Sequence, residues 1–312
     1  MAEIVLIHGI AQEQREPSQL EAEWIPALAA GIKKAGFQEL ETKIRRREVS
    51  IAMAYYGDLF RRPGAQGAID DAAFEELLSV EMLEWADRLG RIWLERGATR
   101  SSDEGVRRDA VQALRLLQQP EAGTAMGPQS MLREVAAALA RVRWFARPSF
   151  AVIERVVRRT LRQVSLYMGN IGGTRDMALQ RVGAMIDPST RALIGHSLGS
   201  IVAYEAAHRI HRGPALLLTL GSPLGLDTIV YERLVPQPPS YPPGVKRWVN
   251  VADLDDLIAA DPNLAPRFPP PPAGRLESML VRNTSPHAAT DYLATPEVGR
   301  PIGETLAAEG RG

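Results

Sequence analysis

The chain has 312 residues, a length that suits one large domain or a domain with a substantial insertion. Acidic and basic residues number 37 each, so the overall charge argues against nucleic acid or an anionic membrane as the main partner. The sequence contains no cysteine, which excludes disulfides, thiolate catalysis and thiolate metal sites. It shows no basic leader and no apolar run of about 18 residues, and we therefore expect a soluble, cytoplasmic protein without a transmembrane segment.

The opening residues predict a strand, a helix and a second strand. The first strand lies within residues 3–10. Ser18 and Glu21 have the spacing of a capping box, and apolar residues then recur every four positions until a glycine ends the helix. The second strand, residues 49–56, leads into Asp58, which either faces a pocket or, as we favour, forms a turn. A helix between two strands is the crossover that parallel pairing requires.

Between residues 61 and 188, strand patterns are absent and helical patterns follow one another. The predicted helices lie after Asp70, near Asp103 to Gln118, at Ser130 to Phe145, at Phe150 to Tyr167 and at Thr174 to Met185. We interpret the glycine-containing stretches 62–64 and 169–173 as joints between packed helices rather than as hinges. The sequence thus predicts a helical insertion, 61–188, in a core formed by residues 1–60 and 189–312.

The core resumes at residues 191–200, an apolar run that ends in Gly-His-Ser-Leu-Gly and has Ser197 at its centre. A buried parallel strand has such an apolar run, and helix-compatible residues follow at once. The chain must therefore turn sharply at Ser197, and we expect its hydroxyl to be exposed above the sheet edge. Gly195 and Gly199 would let the strand and the helix approach the turn closely.

Strand and helix patterns alternate again after Ser197. A helix that extends to His211 precedes three further strands, at residues 215–220, 246–251 and 276–281. Proline-rich loops occupy residues 235–244 and 269–272. Six strands with helical crossovers predict an α/β fold with a doubly wound, mostly parallel sheet. Sheets of this kind place their chemistry in loops at the carboxyl ends of the strands.

Those loops carry the residue types that activate a serine. A serine hydroxyl needs an imidazole to take its proton, a carboxylate to orient that imidazole, and amide donors for an oxyanion. Ser197 is a better candidate than Ser222, because Pro223 after Ser222 has no amide hydrogen to donate.

Five histidines are candidates for the base. His8 and His196 lie beside backbone turns, whereas His208 and His211 lie three residues apart on the predicted helix after Ser197. Surface or core roles are more common at such helical positions than a metal site. His287 follows the last predicted strand and is the expected base.

The acid has several candidates. Asp253, Asp255 and Asp256 all follow the fifth predicted strand, and Asp253 also suits a cap or a turn. Asp227, after the preceding strand, is an alternative. These residues by themselves leave the choice of acid open.

Together these motifs resemble the α/β-hydrolase superfamily, in particular its lipase and esterase type without the first two strands of the larger members. The resemblance covers residues 1–60 and 190–293. It rests on His8-Gly9 after the first strand, the elbow Gly195 to Gly199, Trp248-Val249-Asn250 followed by Asp256, and His287 after the last strand. The order serine, acid, histidine is that of the family. A departure follows the acid, where the family often has proline and valine and this chain has Leu257-Ile258.

The resemblance implies a catalytic triad of Ser197, Asp256 and His287, with an oxyanion hole formed by the amides of Ile10 and Leu198. It implies a serine hydrolase that cleaves an ester, thioester or amide bond through an acyl-enzyme. We expect no metal and no organic cofactor, a helical lid made by the insertion, and a small-molecule, acyl or peptidyl substrate with an apolar group.

Two alternatives share this fold. An acyltransferase or cyclase would use the same triad, and a hydrolase-fold binding protein would have no turnover. Epoxide hydrolases and dehalogenases do not fit, because those relatives carry aspartate at the position of Ser197.

Arginine clusters between Arg141 and Arg162, where seven arginines alternate with apolar residues against the single Glu154. A basic amphipathic pattern of this kind is typical of a helix at a membrane interface, or of a site for an acidic carrier or a charged substrate. A lid helix with solvated arginines has the same pattern, and we favour that interpretation.

Overall fold

The computed structural model describes residues 2–61, 80–118, 128–142, 150–210, 214–227, 229–259 and 261–308. The chain divides into two compact units, one made of Met1–Phe60 and Gly172–Gly312, the other of Arg61–Ile171. The glycine stretch at 62–64 and the start of the helix predicted after Asp70 lie outside the described residues.

The first unit contains one sheet of six parallel strands. They are β1 (Ile4–Ile7), β2 (Ile51–Ala54), β3 (Ala192–His196), β4 (Leu216–Leu220), β5 (Arg247–Asp253) and β6 (Arg275–Val281), in the order β2-β1-β3-β4-β5-β6. The six predicted strands and their parallel pairing are therefore confirmed. Every residue of β1, β3 and β4 is buried, which explains why these segments form continuous apolar runs in the sequence.

The described residues contain ten α-helices, distributed over the two units. They are α1 (Pro17–Lys34), α2 (Gln38–Arg45), α3 (Val80–Arg100), α4 (Glu104–Leu117), α5 (Pro128–Ala140), α6 (Phe150–Met168), α7 (Thr174–Ala184), α8 (Leu198–His208), α9 (Ala289–Leu293) and α10 (Pro296–Ala307). Within the described parts of the chain, none of these helices combines the length and the hydrophobicity that a bilayer span requires.

The strand order reverses beside β1, which is compatible with a doubly wound α/β fold. Within the sheet, β2 is the neighbour of β1 in one direction. In the other direction β3, β4, β5 and β6 follow β1 in chain order. Right-handed crossovers in opposite directions place their helices on opposite faces. The carboxyl ends of β1 and β3 flank this switch point, the usual place for a ligand or a catalytic group in such sheets.

One face of the sheet packs against α1, α9 and α10. The shared core combines the predicted four-residue repeat of α1 with inward side chains of β1, β3 and β4. It includes Leu20, Trp24, Leu28, Ile32, Ile4, Leu6, Ile194, Leu218, Tyr292 and Ile302. Burial of this many large apolar side chains, at roughly 1.5–3 kcal/mol each, is the main force that holds the first unit together.

The start of α1 differs from its prediction. Pro17 opens the helix, and the N–H of Glu16 donates to Oε1 of Gln19 at 3.0 Å, so the predicted capping box of Ser18 and Glu21 is wrong. Proline is favoured at the first helical position, which moves the helix start ahead of Ser18. Glu21 instead accepts the backbone N–H of Met53 on β2 at 2.9 Å.

The second unit is helical in its described residues, as the sequence predicted for the insertion. Asp103 caps α4, since its Oδ1 accepts the N–H groups of Gly105 at 2.7 Å and Val106 at 3.2 Å. Trp85 and Trp93 are buried on α3. The helix α7, which we assigned to the insertion, groups with the sheet unit.

Candidate active site

Ser197 lies at the turn between β3 and α8, with φ 55° and ψ −127°. This backbone conformation is strained for a residue with a side chain, and such strain concentrates at functional sites. The residue as a whole is only 4% exposed, and the expected exposure of its hydroxyl above the sheet edge stays a prediction. A Cβ added to Gly9 would lie 2.8 Å from the Cβ of Ser197, which shows how closely the chain after β1 approaches the serine.

Gly195 and Gly199 let α8 begin directly against the sheet. A Cβ on Gly195 would meet the carbonyl oxygen of Gly199 at 2.3 Å, and one on Gly199 would meet the carbonyl oxygen of Ile7 at 2.3 Å. Both contacts are with backbone atoms, which cannot move aside as a flexible side chain can. The predicted role of the two glycines is thus visible as two close backbone approaches around Ser197.

The structure brings Ser197, His287 and Asp256 together in a hydrogen-bonded line. Nε2 of His287 lies 3.2 Å from Oγ of Ser197, and Nδ1 of His287 lies 2.8 Å from Oδ2 of Asp256. In the neutral imidazole, Nδ1–H donates a hydrogen bond to the carboxylate, so Nε2 carries no proton and accepts the hydrogen bond of the serine hydroxyl. The three residues follow β3, β5 and β6, at the carboxyl edge of the sheet.

Asp256 is 3% exposed and has a partner for both of its oxygens. Its Oδ1 accepts the N–H groups of Ile258 at 3.1 Å and Ala259 at 3.2 Å. Its Oδ2 accepts the hydroxyl of Tyr292 at 2.9 Å in addition to the His287 bond. These bonds hold the carboxylate in one orientation and compensate for its burial.

Tyr292 is a residue that the sequence analysis missed. It is fully buried on α9, and its hydroxyl also accepts the N–H of Asp253 at 2.9 Å. Burial, with Asp256 as the next contribution, raises the pKa of Tyr292, so the group stays a neutral hydrogen-bond donor. Nothing in its sequence surroundings marks it, because its two partners lie 36 and 39 residues away.

The other candidate acids make different contacts. Asp253 accepts the N–H of Asp255 at 2.8 Å and that of Asn283, so it connects the ends of β5 and β6. Burial raises the pKa of Asp253 above its ordinary value. The carboxylate of Asp227 forms a bidentate pair with Arg267. Of the aspartates that the sequence left open, it is Asp256 that lies against His287.

His8 is a buried structural histidine. Its Nε2 accepts the N–H of Tyr56 at 3.2 Å and its Nδ1 lies 2.8 Å from the carbonyl oxygen of Gly9, while its ring stacks on Tyr56 at 4.3 Å. Burial lowers the pKa of His8 to about 4. The ring is therefore neutral and links the carboxyl ends of β1 and β2.

His196 is also buried, and its ring centroid lies 4.8 Å from that of His287. Burial first, and the nearby His287 second, lower the pKa of His196 well below its ordinary value. Its ring hydrogen-bonds the backbone of His287, whereas Nε2 has no hydrogen-bond partner among the described residues. His196 therefore supports the loop that carries His287.

The remaining polar candidates have structural contacts. Nε2 of His208 lies 3.1 Å from the carbonyl oxygen of Ser240, and α8 ends at His208, while His211 lies outside the described residues. Ser222 is buried and bonds Oγ of Ser200 at 2.7 Å. Asp58 occupies a short helical turn and pairs with Arg181.

The two predicted oxyanion donors are at suitable places in the chain. Leu198 is the first residue of α8, so its N–H has no acceptor within the helix. Ile10 follows Gly9, and its carbonyl oxygen accepts a hydrogen bond from Nε2 of Gln12 at 3.2 Å. The role of both amides stays a prediction.

The described residues contain no group of three or more histidine, aspartate or glutamate side chains that could hold a metal ion. Residues 143–149 of the arginine cluster lie outside the described residues, and the side chains of residues 150–158 are not described either. The interpretation of that cluster stays a prediction.

We compared the chain with protein-family models, with curated proteins and with solved structures, and none of the three comparisons finds a match. The geometry of Ser197, His287 and Asp256 is therefore the basis on which function is argued.

Proposed function

We propose that the protein is a serine hydrolase that cleaves an ester, thioester or amide bond through an acyl-enzyme. The observation that carries this proposal is the line from Oγ of Ser197 to Nε2 of His287 at 3.2 Å and from Nδ1 of His287 to Oδ2 of Asp256 at 2.8 Å. Each of these atoms has the donor or acceptor role that serine activation requires.

In the proposed reaction, Oγ of Ser197 attacks the substrate carbonyl carbon while its proton passes to Nε2 of His287. Asp256 holds Nδ1–H and stabilises the imidazolium that forms. The tetrahedral intermediate then collapses, and His287 gives the proton to the leaving alcohol, thiol or amine. Water then attacks the acyl carbon while His287 takes one of its protons, and His287 returns that proton to Oγ of Ser197 as the ester bond breaks and the acid leaves.

The negative charge of each tetrahedral intermediate needs amide donors near Ser197. We assign the N–H of Leu198 and the N–H of Ile10 to this role, because Leu198 starts α8 and Ile10 follows the close contact between Gly9 and Ser197. Removing a single oxyanion donor typically costs on the order of a hundredfold or more in kcat.

We also propose that the chain is a member of the α/β-hydrolase superfamily whose helical unit, Arg61–Ile171, acts as a lid. Support comes from the six-stranded parallel sheet, the strained turn at Ser197 after β3, and the order serine, acid, histidine along the chain. The lid proposal rests on connectivity, since the helical unit is inserted between β2 and the strand that leads to Ser197.

The proposal is tested by covalent labelling with a fluorophosphonate probe and peptide mass spectrometry. We expect one adduct, on Ser197, and no adduct on the Ser197→Ala variant. Ser222→Ala is the matched control and should label like the wild-type chain, because Ser222 bonds Ser200 rather than a histidine. An adduct on another residue, or no adduct on the folded wild-type chain, would refute the proposed nucleophile.

A further inference from the structure

The strand β6 forms one edge of the sheet and exposes much of its length. In the sheet order β6 has β5 on one side and, among the described residues, no strand on the other. Four of its seven residues are partly buried or buried, and the other three, Arg275, Ser278 and Leu280, are exposed. Leu280 is 53% exposed, the most exposed large apolar side chain among the described residues. An open edge with an exposed leucine is a template for pairing with another strand.

The register shows which backbone groups of β6 are directed outward. The N–H of Arg275 donates to the carbonyl oxygen of Lys246 at 3.1 Å, on the β5 side. Because backbone N–H and C=O groups point to alternate sides of a strand, those of Leu276, Ser278 and Leu280 point away from β5. These three residues, each with one N–H and one C=O group, therefore offer six backbone groups to an incoming strand.

At the opposite edge of the sheet, one outward N–H group already has a side-chain acceptor. There the N–H of Met53 on β2 donates to the carboxylate of Glu21 at 2.9 Å. A charged side chain at an edge strand is one of the ways in which proteins prevent edge pairing. The two edges thus differ, and β6 is the edge that is open to a partner.

We propose that β6 is a homodimer interface, in which two copies of the chain pair their β6 strands antiparallel about a two-fold axis at Ser278. In this register Ser278 lies opposite its own copy, and Leu276 lies opposite Leu280 of the second copy. All three outward-directed residues then form hydrogen-bonded pairs, giving six backbone hydrogen bonds. A register shifted by one or two residues leaves at least one of them without a partner.

The side chains of β6 fit this symmetric pairing. Leu276, Ser278 and Leu280 share one face of the strand, so the dimer forms two leucine–leucine pairs around a serine–serine pair. On the other face, Glu277 lies opposite Met279 and Arg275 lies opposite Val281, so no like charges are directly opposed. Glu277 already pairs with Arg247 within its own chain. Self-complementarity of this kind is what a two-fold interface requires, and because both copies use the same edge, the pairing closes at two copies.

The first test is the molar mass of the full chain, measured by sedimentation equilibrium over a micromolar concentration series. We expect a dimer, with twice the chain mass of 34.2 kDa. Ser278→Pro removes the central N–H donor without touching the β5 side of the strand, and Leu280→Lys adds a charge at the paired face. Since each substitution occurs twice in a symmetric dimer, we expect either one to raise the dissociation constant at least about tenfold.

Leu116→Lys is the control, because Leu116 is an exposed leucine, 41%, on a helix outside the sheet. This variant should remain dimeric. Circular dichroism and thermal unfolding of each variant separate loss of pairing from loss of folding.

The second test reads the register directly, because the chain has no cysteine of its own. Ser278→Cys places one thiol opposite its copy, at a Cα separation of about 5.5 Å that a disulfide can span. Mild oxidation should convert this variant to a disulfide-linked dimer, whereas a Leu116→Cys chain should stay monomeric on a non-reducing gel. A monomeric wild-type chain, or a dimer that persists in Ser278→Pro and Leu280→Lys and fails to cross-link at Ser278→Cys, would overturn the proposal.

Discussion

At the residue scale, His287 binds one aspartate, although the sequence offered several. Asp256 lies 2.8 Å from Nδ1 of His287, whereas Asp227 pairs with Arg267. We predict that Asp256→Asn lowers kcat by about four orders of magnitude, because an amide favours the wrong tautomer of the imidazole. Steady-state kinetics on an activated ester would measure this loss.

Asp227→Asn is the matched control and should leave kcat within a few-fold of the wild-type value. His287→Ala should be as damaging as Asp256→Asn or more so. If Asp227→Asn were the crippling change, the acid assignment would be wrong.

Tyr292 acts on the site through Asp256 and is a positioning residue. Its hydroxyl donates to Oδ2 of Asp256 and accepts the N–H of Asp253, each at 2.9 Å. We predict that Tyr292→Phe lowers kcat about tenfold with little change in KM. It should also lower the free energy of unfolding by about 1–3 kcal/mol, since the buried N–H of Asp253 loses its acceptor.

Tyr204→Phe is the control that separates the effect on kcat from the effect on stability. The hydroxyl of Tyr204 donates to the carbonyl oxygen of Ser240 at 2.8 Å and accepts the N–H of Ser240 at 3.1 Å, so it also loses one donor and one acceptor contact. A similar loss of stability with unchanged kcat is expected. Equal losses of kcat in the two variants would mean that Tyr292 has only a structural role.

At the scale of elements, His8 makes the contact between β1 and β2 dependent on pH. Burial lowers the pKa of His8 from about 6.5 in the unfolded chain to about 4 in the folded one. On acidification the unfolded state therefore binds the proton first. The contribution of neutral His8 to the free energy of unfolding is complete above about pH 6.5 and is lost as the pH falls towards about 4. We predict that His8 contributes a loss of about 3 kcal/mol over this interval.

Urea unfolding at several pH values between about 7 and 4 would measure this loss. His8→Gln should be less stable at neutral pH, and its stability should fall less steeply on acidification. Parallel curves for the variant and the wild-type chain would show that His8 is not the titrating group.

The junction of β3 and α8 depends on glycines that contact backbone atoms. A Cβ on Gly199 would lie 2.3 Å from the carbonyl oxygen of Ile7. We predict that Gly199→Ala destabilises the protein by about 1–3 kcal/mol, because α8 must move away from β1. Labelling of Ser197 should slow as well, since the same movement displaces the first turn of α8.

Gly183→Ala is the matched control for Gly199→Ala. Gly183 lies in α7, and a Cβ there would meet no atom within 4 Å. Alanine should raise stability by about 0.5–1 kcal/mol through its better helix propensity. In thermal unfolding we therefore expect the Tm values of the two variants to shift in opposite directions. Tm shifts of the same sign would contradict the argument.

At the scale of the whole molecule, the proposal that the helical unit acts as a lid predicts a preference among substrates. Each additional buried methylene contributes about 0.8 kcal/mol, so four would give roughly a hundredfold gain in kcat/KM. We predict that kcat/KM rises along a series of esters from acetyl to decanoyl. A flat series that substitutions in the helical unit leave unchanged would instead indicate that those helices bind a partner.

The sequence alone determined the six strands and the turn at Ser197, because these features are local. A fully buried strand must be apolar throughout, as in β3, and a helix that starts at its end needs small residues such as Gly195 and Gly199. The helices of the insertion were predicted for the same reason, since Asp103 and the apolar repeat around Trp93 act within a few turns.

Only the tertiary structure decided which distant side chains meet. The carboxylate that contacts His287, the hydroxyl of Tyr292 on that carboxylate and the bond from Met53 to Glu21 join residues 31 or more positions apart. Such contacts depend on strand register and on the paths of loops, which composition and periodicity do not specify. The prediction of a capping box at Ser18 was wrong for a related reason. The helix begins at Pro17, ahead of Ser18, and Glu21 accepts the N–H of Met53 on β2 instead.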